Sequence, residues 1–213
     1  MAIVSNPLIG KSRKKIGGVV FSSWKGIQVL KEYNPKPRNP KTGAQTIQRN
    51  KMAAIVALYG TASSFFNAGF SERAVKQSAY NAFVSENVKR EFTVGPDNSV
   101  QINPSNVAAS DGTLDGTDID TLTITNGSPY VVIGYDDSVS GDQAANDEVY
   151  ALASNLTNGD MVYSMAEATR ADGEITLTLP NNATTGDSFV AYLFFKQASG
   201  GKVSASVSDA ITI

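Results

Sequence analysis

Regularly spaced turn signals in the C-terminal part of the chain limit its fold more than any other feature of the sequence. Short clusters of Gly, Asn, Asp and Ser recur about every dozen residues and separate segments rich in β-branched and aromatic residues. The turn clusters are Asn126-Gly127, Ser140-Gly141-Asp142, Asn158-Gly159-Asp160, Ala171-Asp172-Gly173, Thr185-Gly186-Asp187 and Ser199-Gly200-Gly201. The predicted strands are residues 100–102, 120–125, 130–135, 148–154, 161–168, 174–179, 188–196 and 203–213.

Several of these segments alternate apolar and polar residues, which is typical of a strand with one buried face. In residues 175–179 the isoleucine and leucines share one face and the threonines share the other. About seven or eight short strands over roughly 120 residues indicate an immunoglobulin-like β-sandwich. Because the chain has no cysteine, this sandwich lacks the disulfide of true immunoglobulin domains and must be held by packing alone.

The first 41 residues differ in composition from the rest. Residues 5–18 are rich in Gly, Lys and Arg without a sustained period, which predicts an extended arm. Residues 18–33 are β-prone and are interrupted by Lys25-Gly26, which predicts a hairpin with a tight turn. Residues 34–42 place three prolines among three basic residues, and this favours an extended basic linker.

Two helices are predicted between the linker and the sandwich. Thr42 and Gln45 have the spacing of a capping box, which begins the first helix. Apolar residues then recur at steps of three and four as far as Phe66, and Gly69 ends the helix. A second helix, from about Ser71 to Phe92, is expected to pack its apolar face against the first.

The fold predicted from these patterns is α+β with three parts. Residues 1–41 form a basic arm, a β-hairpin and a Pro-rich linker, and residues 42–94 form a helical hairpin. Residues 95–213, which begin at the Gly95-Pro96-Asp97 break, form the acidic immunoglobulin-like β-sandwich.

Charge is distributed unevenly along the chain. Residues 1–52 hold eleven Lys and Arg against the single acid Glu32, a net charge of +10. Residues 95–213 hold three basic and sixteen acidic residues, a net charge of -13. The basic end can therefore meet phosphates or an acidic protein surface, and the acidic end can meet the basic end of a neighbouring copy.

The composition argues against an enzyme. The absence of histidine and cysteine removes the commonest general base, the commonest transition-metal ligands and the thiol nucleophile. Acidic pairs such as Asp118 with Asp120 invite a calcium site, but none fits an EF-hand, and Asp is common in turns for its own hydrogen bonds. No catalytic residue, metal site or cofactor is predicted.

Nothing in the sequence predicts contact with a membrane. No apolar run approaches the roughly 18 residues that a spanning helix needs. The residues Ala2 to Val4 precede the first basic cluster, which is the reverse of the order in a secretory signal peptide. The expectation is a chain without a signal peptide or transmembrane segment.

The basic N-terminal region carries the candidate site. Its residues are candidates for contact with a neighbouring subunit or with phosphates. They are Lys11, Arg13, Lys14, Lys15, Trp24, Lys25, Lys31, Lys36, Arg38, Lys41 and Arg49. Trp24 and Tyr33 lie among these charges and can stack on bases, or Trp24 can instead anchor the hairpin to the helices.

Two segments near the N-terminus resemble a known family. They are Gly17-Gly18-Val19-Val20-Phe21-Ser22-Ser23-Trp24-Lys25-Gly26 and Asn39-Pro40-Lys41-Thr42-Gly43-Ala44-Gln45, followed by Arg49. The chain resembles a family of uncharacterised bacterial and phage-associated proteins in which such a hairpin and helix start precede a β-sandwich. Basic, proline-punctuated arms joined to immunoglobulin-like modules are also similar to phage structural and decoration proteins. The resemblance implies an architecture and a virion location, and it implies no chemical activity.

Three functions remain as hypotheses. The first is a structural subunit of a phage virion or similar assembly, which self-associates through its basic arm and leaves the β-sandwich exposed; its partners are further copies or other virion proteins. The second is a protein that binds or packages nucleic acid through the same arm, in the virion or the bacterial cytoplasm. The third is a glycan-binding surface module, in which tyrosines line the site. Those tyrosines are Tyr130, Tyr135, Tyr150, Tyr163 and Tyr192.

Overall fold

The chain divides into two compact units, Met1–Thr42 and Gly43–Ile213. The computed structural model describes residues 2–3, 14–24 and 27–213, and for residues 2, 3 and 24 it describes the backbone alone. The first unit holds nine Lys and Arg against Glu32, a net charge of +8, and the second holds nine against nineteen acids, a net charge of -10. The boundary between the units is therefore also the boundary between the two signs of net charge.

The first unit is a four-stranded antiparallel sheet in the order β1-β4-β3-β2. Its strands are β1 (Ala2–Ile3), β2 (Lys14–Ile16), β3 (Val19–Trp24) and β4 (Ile27–Glu32). The predicted hairpin is confirmed, because β3 and β4 pair from Val19↔Glu32 to Trp24↔Ile27.

The predicted arm, residues 5–18, needs a correction over the part that is described. Lys14–Ile16 does not extend freely but pairs with β3 through Lys15↔Val20. Gly17 in the turn between β2 and β3 has a φ of 59°, a conformation that glycine adopts readily in tight hairpin turns. The rest of the arm up to residue 13 lies outside the described residues.

The second unit begins with three helices, α1 (Gly43–Thr61), α2 (Ser63–Gly69) and α3 (Ala79–Asn87). The first predicted helix is interrupted at Ala62, whose φ of -141° is not helical. The second prediction, residues 71–92, is wrong at both ends. The side chain of Ser78 accepts a hydrogen bond from the backbone N–H of Asn81 and begins α3 there. In the described chain, no helix is long and apolar enough to span a membrane.

Phe92 shows why the second helix ends early. It belongs to strand β5 (Phe92–Val94), which pairs with β6 (Val100–Ile102) through Phe92↔Ile102. Both of these side chains pack against the helices. The pairing with β6 across the turn at residues 95–99 overrides the helical periodicity that the local sequence carries.

The remaining strands form a β-sandwich, so the chain is α+β as predicted. The three-stranded sheet has the order β11-β8-β7 and the four-stranded sheet the order β10-β9-β12-β13. The strands are β7 (Ile119–Ile124), β8 (Tyr130–Tyr135), β9 (Glu148–Asn155), β10 (Met161–Thr169), β11 (Glu174–Thr178), β12 (Ser188–Lys196) and β13 (Val207–Thr212). Two antiparallel sheets of seven strands in total are typical of immunoglobulin-like domains. The predicted bounds of β8 and β12 are confirmed to the residue.

In the β10-β9-β12-β13 sheet, the central strands β9 and β12 are buried on both faces. Alternate residues of β12 face different layers: Leu193 and Phe195 enter the core between the two sheets, which we call the inner core. Tyr192 and Phe194 enter a second core beneath the helices, the helix-side core. The helix-side core also contains Phe65, Phe66, Phe70 and Phe83.

This second core corrects the expectation that residues 42–94 form a part of their own. The helices cover one face of the four-stranded sheet, and residues 43–213 form one compact unit. No boundary between compact units falls at residue 94.

Glu72 connects the segment after α2 to the sandwich through hydrogen bonds. Its Oε2 atom accepts hydrogen bonds from the backbone N–H groups of Thr113 (3.1 Å) and Val203 (2.8 Å), and its Oε1 atom accepts one from the Thr113 hydroxyl (2.7 Å). Partial burial raises the pKa of Glu72, but these hydrogen bonds and the charge of Lys202 outweigh it, so that its pKa lies below the usual 4.5.

A Glu72→Gln variant tests this contact through its pH dependence. Because the folded-state pKa is lowered, the ionised carboxylate stabilises the fold above pH 4.5, and this contribution is lost as the pH falls through the folded-state pKa. We expect the variant to lose about 1 kcal/mol at neutral pH, a small effect because the partly exposed carboxylate is screened by solvent. Urea unfolding at pH 7 and at acidic pH measures the difference. It should shrink at acidic pH, and an equal difference at both pH values would contradict this account.

Candidate functional site

The N-terminal unit gathers most of the predicted site residues on one sheet and the linker that follows it. Lys14 and Lys15 lie on β2 and Lys31 lies on β4, while Lys36, Arg38 and Lys41 follow the sheet; all six side chains are exposed. Arg49 is exposed on α1 and therefore belongs to the second unit. Lys11, Arg13 and Lys25, together with the side chain of Trp24, lie outside the described residues.

The six cations have no ion-pair partner within the described chain, since all five ion pairs found there lie in the second unit. Lys15 instead places its Nζ atom 3.4 Å from the centroid of the Tyr33 ring, a cation–π contact. One face of Tyr33 is therefore occupied by a lysine, which leaves less of the ring for stacking on a base.

The sheet of the N-terminal unit carries little core of its own. Among its described side chains only Val29 is buried. Ile16 is 61% exposed and Ile27 is 41% exposed, although both are β-prone residues within strands. A small sheet needs a covered apolar face to be stable, and this one leaves apolar side chains in solvent.

Acidic side chains line a shallow groove at one end of the sandwich. Asp115, Asp118, Asp120 and Asp136 border it, together with neighbouring loop residues. Asp136 accepts hydrogen bonds from the backbone N–H (2.9 Å) and the hydroxyl (2.7 Å) of Ser138, and these bonds lower its pKa. Within the described residues no three acidic side chains are grouped so that they could hold a metal ion. The geometry around Asp136 is that of a turn-stabilising carboxylate.

A buried ion pair lies behind this groove, and sequence reasoning missed it. Arg170 and Asp147 are both fully buried, with 3.4 Å between Nε and Oδ2. The guanidinium carbon lies 3.9 Å from the centroid of the Phe195 ring, and Nη2 donates a hydrogen bond to the Asp115 carbonyl (3.1 Å). The one available signal was that Arg170 is among only three basic residues in a strongly acidic segment. Arg170 thus joins three loops at one end of the sandwich.

The five tyrosines of the glycan hypothesis are not brought together. Tyr135, Tyr150 and Tyr192 are buried, and burial raises the pKa of Tyr135 and of Tyr150 to about 12. The Tyr192 hydroxyl donates to the Pro104 carbonyl at 2.6 Å. Only Tyr130 and Tyr163 are exposed, and they lie on strands of different sheets. These positions do not form an aromatic platform of the kind that binds a sugar ring.

Comparisons with known proteins give a family and distant structural similarity. No curated protein matches the chain. A redesigned β-sandwich protein is similar at 15% identity over 47% of this chain and 90% of that chain, with a TM-score of 0.33. The fn3 domain of human collagen alpha-1(XX) is similar at 10% identity over 48% of this chain and 83% of that chain, also with a TM-score of 0.33. A family model described as a family of unknown function, DUF6266, matches residues 10–209. The resemblance to a family without an assigned activity is confirmed at that level, and the chain belongs to the DUF6266 family.

Proposed function

We propose that this protein is a non-enzymatic structural subunit of a protein assembly such as a phage virion, and that it self-associates through its N-terminal unit, residues 1–42. The observation that carries the proposal is the poor burial of the N-terminal sheet, in which Val29 is the only buried side chain among those described. Contact with a second molecule would cover the exposed Ile16 and Ile27 and supply the stability that the sheet lacks.

Charge supports a further copy of the same chain as the partner. The N-terminal unit has a net charge of +8 and the second unit a net charge of -10. Opposite charges on the two units favour head-to-tail contact between copies and fix its orientation more than they raise its affinity. A heterologous contact of this kind, repeated from copy to copy, builds a ring or an open filament.

A charge-reversal variant of the full chain tests the proposal. In Lys31→Glu/Lys36→Glu/Arg38→Glu, three reversals of two charges each lower the net charge of the N-terminal unit from +8 to +2. At low salt we expect the wild type to form species larger than a monomer and the variant to stay monomeric, because the attraction between unlike units is largely removed. Sedimentation velocity at low and high salt gives the masses.

The matched control is Lys76→Glu/Lys89→Glu, which reverses two exposed lysines of the second unit. These changes make the acidic unit more acidic and should leave assembly intact or strengthen it. A wild type that is monomeric at every concentration, or a triple variant that assembles like the control, would contradict the role of the N-terminal unit.

The nucleic-acid hypothesis is tested by measuring the binding of DNA to the same proteins. If the six exposed cations each contacted a phosphate, the logarithm of the DNA association constant would fall with the logarithm of salt concentration with a slope of about -5. We expect no such steep dependence, because the acidic second unit repels DNA. Tight, salt-sensitive DNA binding by a monomer would favour that hypothesis over self-assembly.

A further inference from the structure

Strand β10 leaves one edge of the four-stranded sheet open. It is the end strand of that sheet, and in the described chain β9 is its only strand neighbour. The pairing with β9 is regular from Met161 to Met165 and then shifts between Met165 and Ala168. Residues 161–165 therefore present a straight, five-residue edge whose outward backbone groups can pair with another strand.

The side chains along this edge are apolar on one face. Met161, Tyr163 and Met165 alternate along β10, opposite Ser154, Leu152 and Tyr150 of β9. They therefore share the face that carries the helix-side core, and the Tyr163 ring lies 6.0 Å from that of Phe65. Tyr163 is 37% exposed and Met165 is 40% exposed. Proteins commonly protect an open edge with charged residues, yet residues 161–166 carry no charge.

The open section has a defined length. At one end Ala166 has a φ of 59°, and the bulge there bends the strand away from a straight partner. The Ser164 hydroxyl donates to Glu167 at 2.9 Å and holds that carboxylate beside the bulge. At the other end the turn at Asn158 and Asp160 closes the strand, with a hydrogen bond of 2.8 Å from the Asp160 N–H to the Asn158 side chain. The regular edge between these limits is residues 161–165, which suits a short partner strand.

The two methionines of the edge lie at equal distances along the strand on either side of Tyr163. Residues 161–165 read Met, Val, Tyr, Ser, Met. An antiparallel copy of the same strand centred on Tyr163 would place tyrosine opposite tyrosine and Met161 opposite Met165. Cross-strand aromatic pairs of this kind stabilise antiparallel sheets, and the arrangement has the two-fold symmetry of most homodimers.

We propose that two copies of this chain pair through β10, antiparallel and centred on Tyr163, so that their four-stranded sheets join into one. The spacing of the two methionines about Tyr163 supports a second copy as the occupant, and the uncharged residues 161–166 keep repulsion between two units of net charge -10 low at the contact itself. Asp160 and Glu167 flank the edge, so this contact strengthens with salt as their repulsion is screened. The head-to-tail contact of the N-terminal unit has the opposite salt dependence.

Cysteine cross-linking tests the register directly, because the chain has no cysteine of its own. Full-length Met161→Cys and Met165→Cys are oxidised separately and as a mixture at about 1 M salt, where the Debye length is about 3 Å. In the proposed register, residue 161 of one copy faces residue 165 of the other, whereas the two copies of residue 161 lie about 13 Å apart along the strands. We expect roughly tenfold more disulfide-linked dimer in the mixture than in either variant alone. A tenfold ratio corresponds to a free-energy difference of about 1.4 kcal/mol between the two pairings.

A Tyr163→Lys variant tests the affinity. Lysine at the centre of the edge places like charges opposite each other, so the dimer association constant at high salt should fall roughly tenfold or more. Tyr130→Lys alters an exposed tyrosine of the other sheet and should leave association unchanged. Circular dichroism shows whether each variant keeps the fold.

Equal cross-linking of the mixture and the single variants would overturn the proposal, as would a monomeric wild type at high salt or a register that joins residue 161 to itself. Pairing of β10 with a strand of another protein would also overturn it. This proposal and the function proposed above can fail separately. If only the N-terminal contact is absent, the cysteine variants still form the β10 cross-link, with or without the three charge reversals. Loss of the cross-link leaves low-salt assembly through the N-terminal unit unaffected.

Discussion

A Phe65→Ala variant is expected to lose about 3–5 kcal/mol of the free energy of unfolding of residues 43–213. Phe65 is fully buried on α2. Its ring centroid lies 5.0 Å from that of Phe194 on β12 and 5.7 Å from that of Phe66. The truncation opens a cavity between the helices and the sheet, which these close-packed aromatic rings can fill only in part.

Urea denaturation followed by far-ultraviolet circular dichroism and by near-ultraviolet tyrosine signals measures this loss. Both signals should move together, because the helices share a core with the sheet and unfold with it. Val56→Ala, at a 41% exposed site on α1, is the matched control and should change stability by no more than about 0.5 kcal/mol. Separate transitions, or melted helices on an intact sandwich, would instead support an independent helical hairpin.

An Asp147→Asn variant is expected to lose a similar amount, about 3–5 kcal/mol, because it leaves the guanidinium of Arg170 buried without a counter-ion. Arg170 and Asp147 are both fully buried. Asparagine can still accept the 2.9 Å hydrogen bond that Asp147 accepts from the backbone N–H of Ala144, so the change isolates the loss of charge.

The double variant Asp147→Asn/Arg170→Met measures how much of each loss comes from the interaction between the two charges. Removing both charges eliminates the uncompensated ion, so we expect the double variant to recover most of the stability lost in the single variants. Chemical denaturation of the wild type, both single variants and the double variant gives the coupling energy. Asp142→Asn is the control, because Asp142 pairs with Lys202 at an exposed site, and its effect should be much smaller. Equal losses for Asp147→Asn and Asp142→Asn would contradict the importance of burial.

Most of the strands were predictable because their signals are local. Turn clusters such as Asn126-Gly127 end one strand and begin the next, and alternation such as that in residues 175–179 identifies the buried face. The hairpin of β3 and β4 followed from β-prone residues on either side of a short glycine-containing turn. The six exposed cations of the N-terminal unit were also readable from sequence, since exposure is the usual state of lysine and arginine.

The tertiary structure decided the features that depend on which distant segments meet. The nearly uninterrupted apolar run of β12 marks a strand, but only the structure shows that helices cover its second face and merge residues 43–213 into one unit. Phe92 carries a helical period and yet forms a strand, because its partner Ile102 lies beyond a turn. The partner of Arg170 lies 23 residues away, and the open edge of β10 exists because the chain places no strand beside it among the described residues. Local periodicity and composition therefore set the elements and the charge of each unit. Packing partners, shared cores and open edges arose from long-range contacts, whose free energies outweigh local propensity and leave no short-range pattern in the sequence.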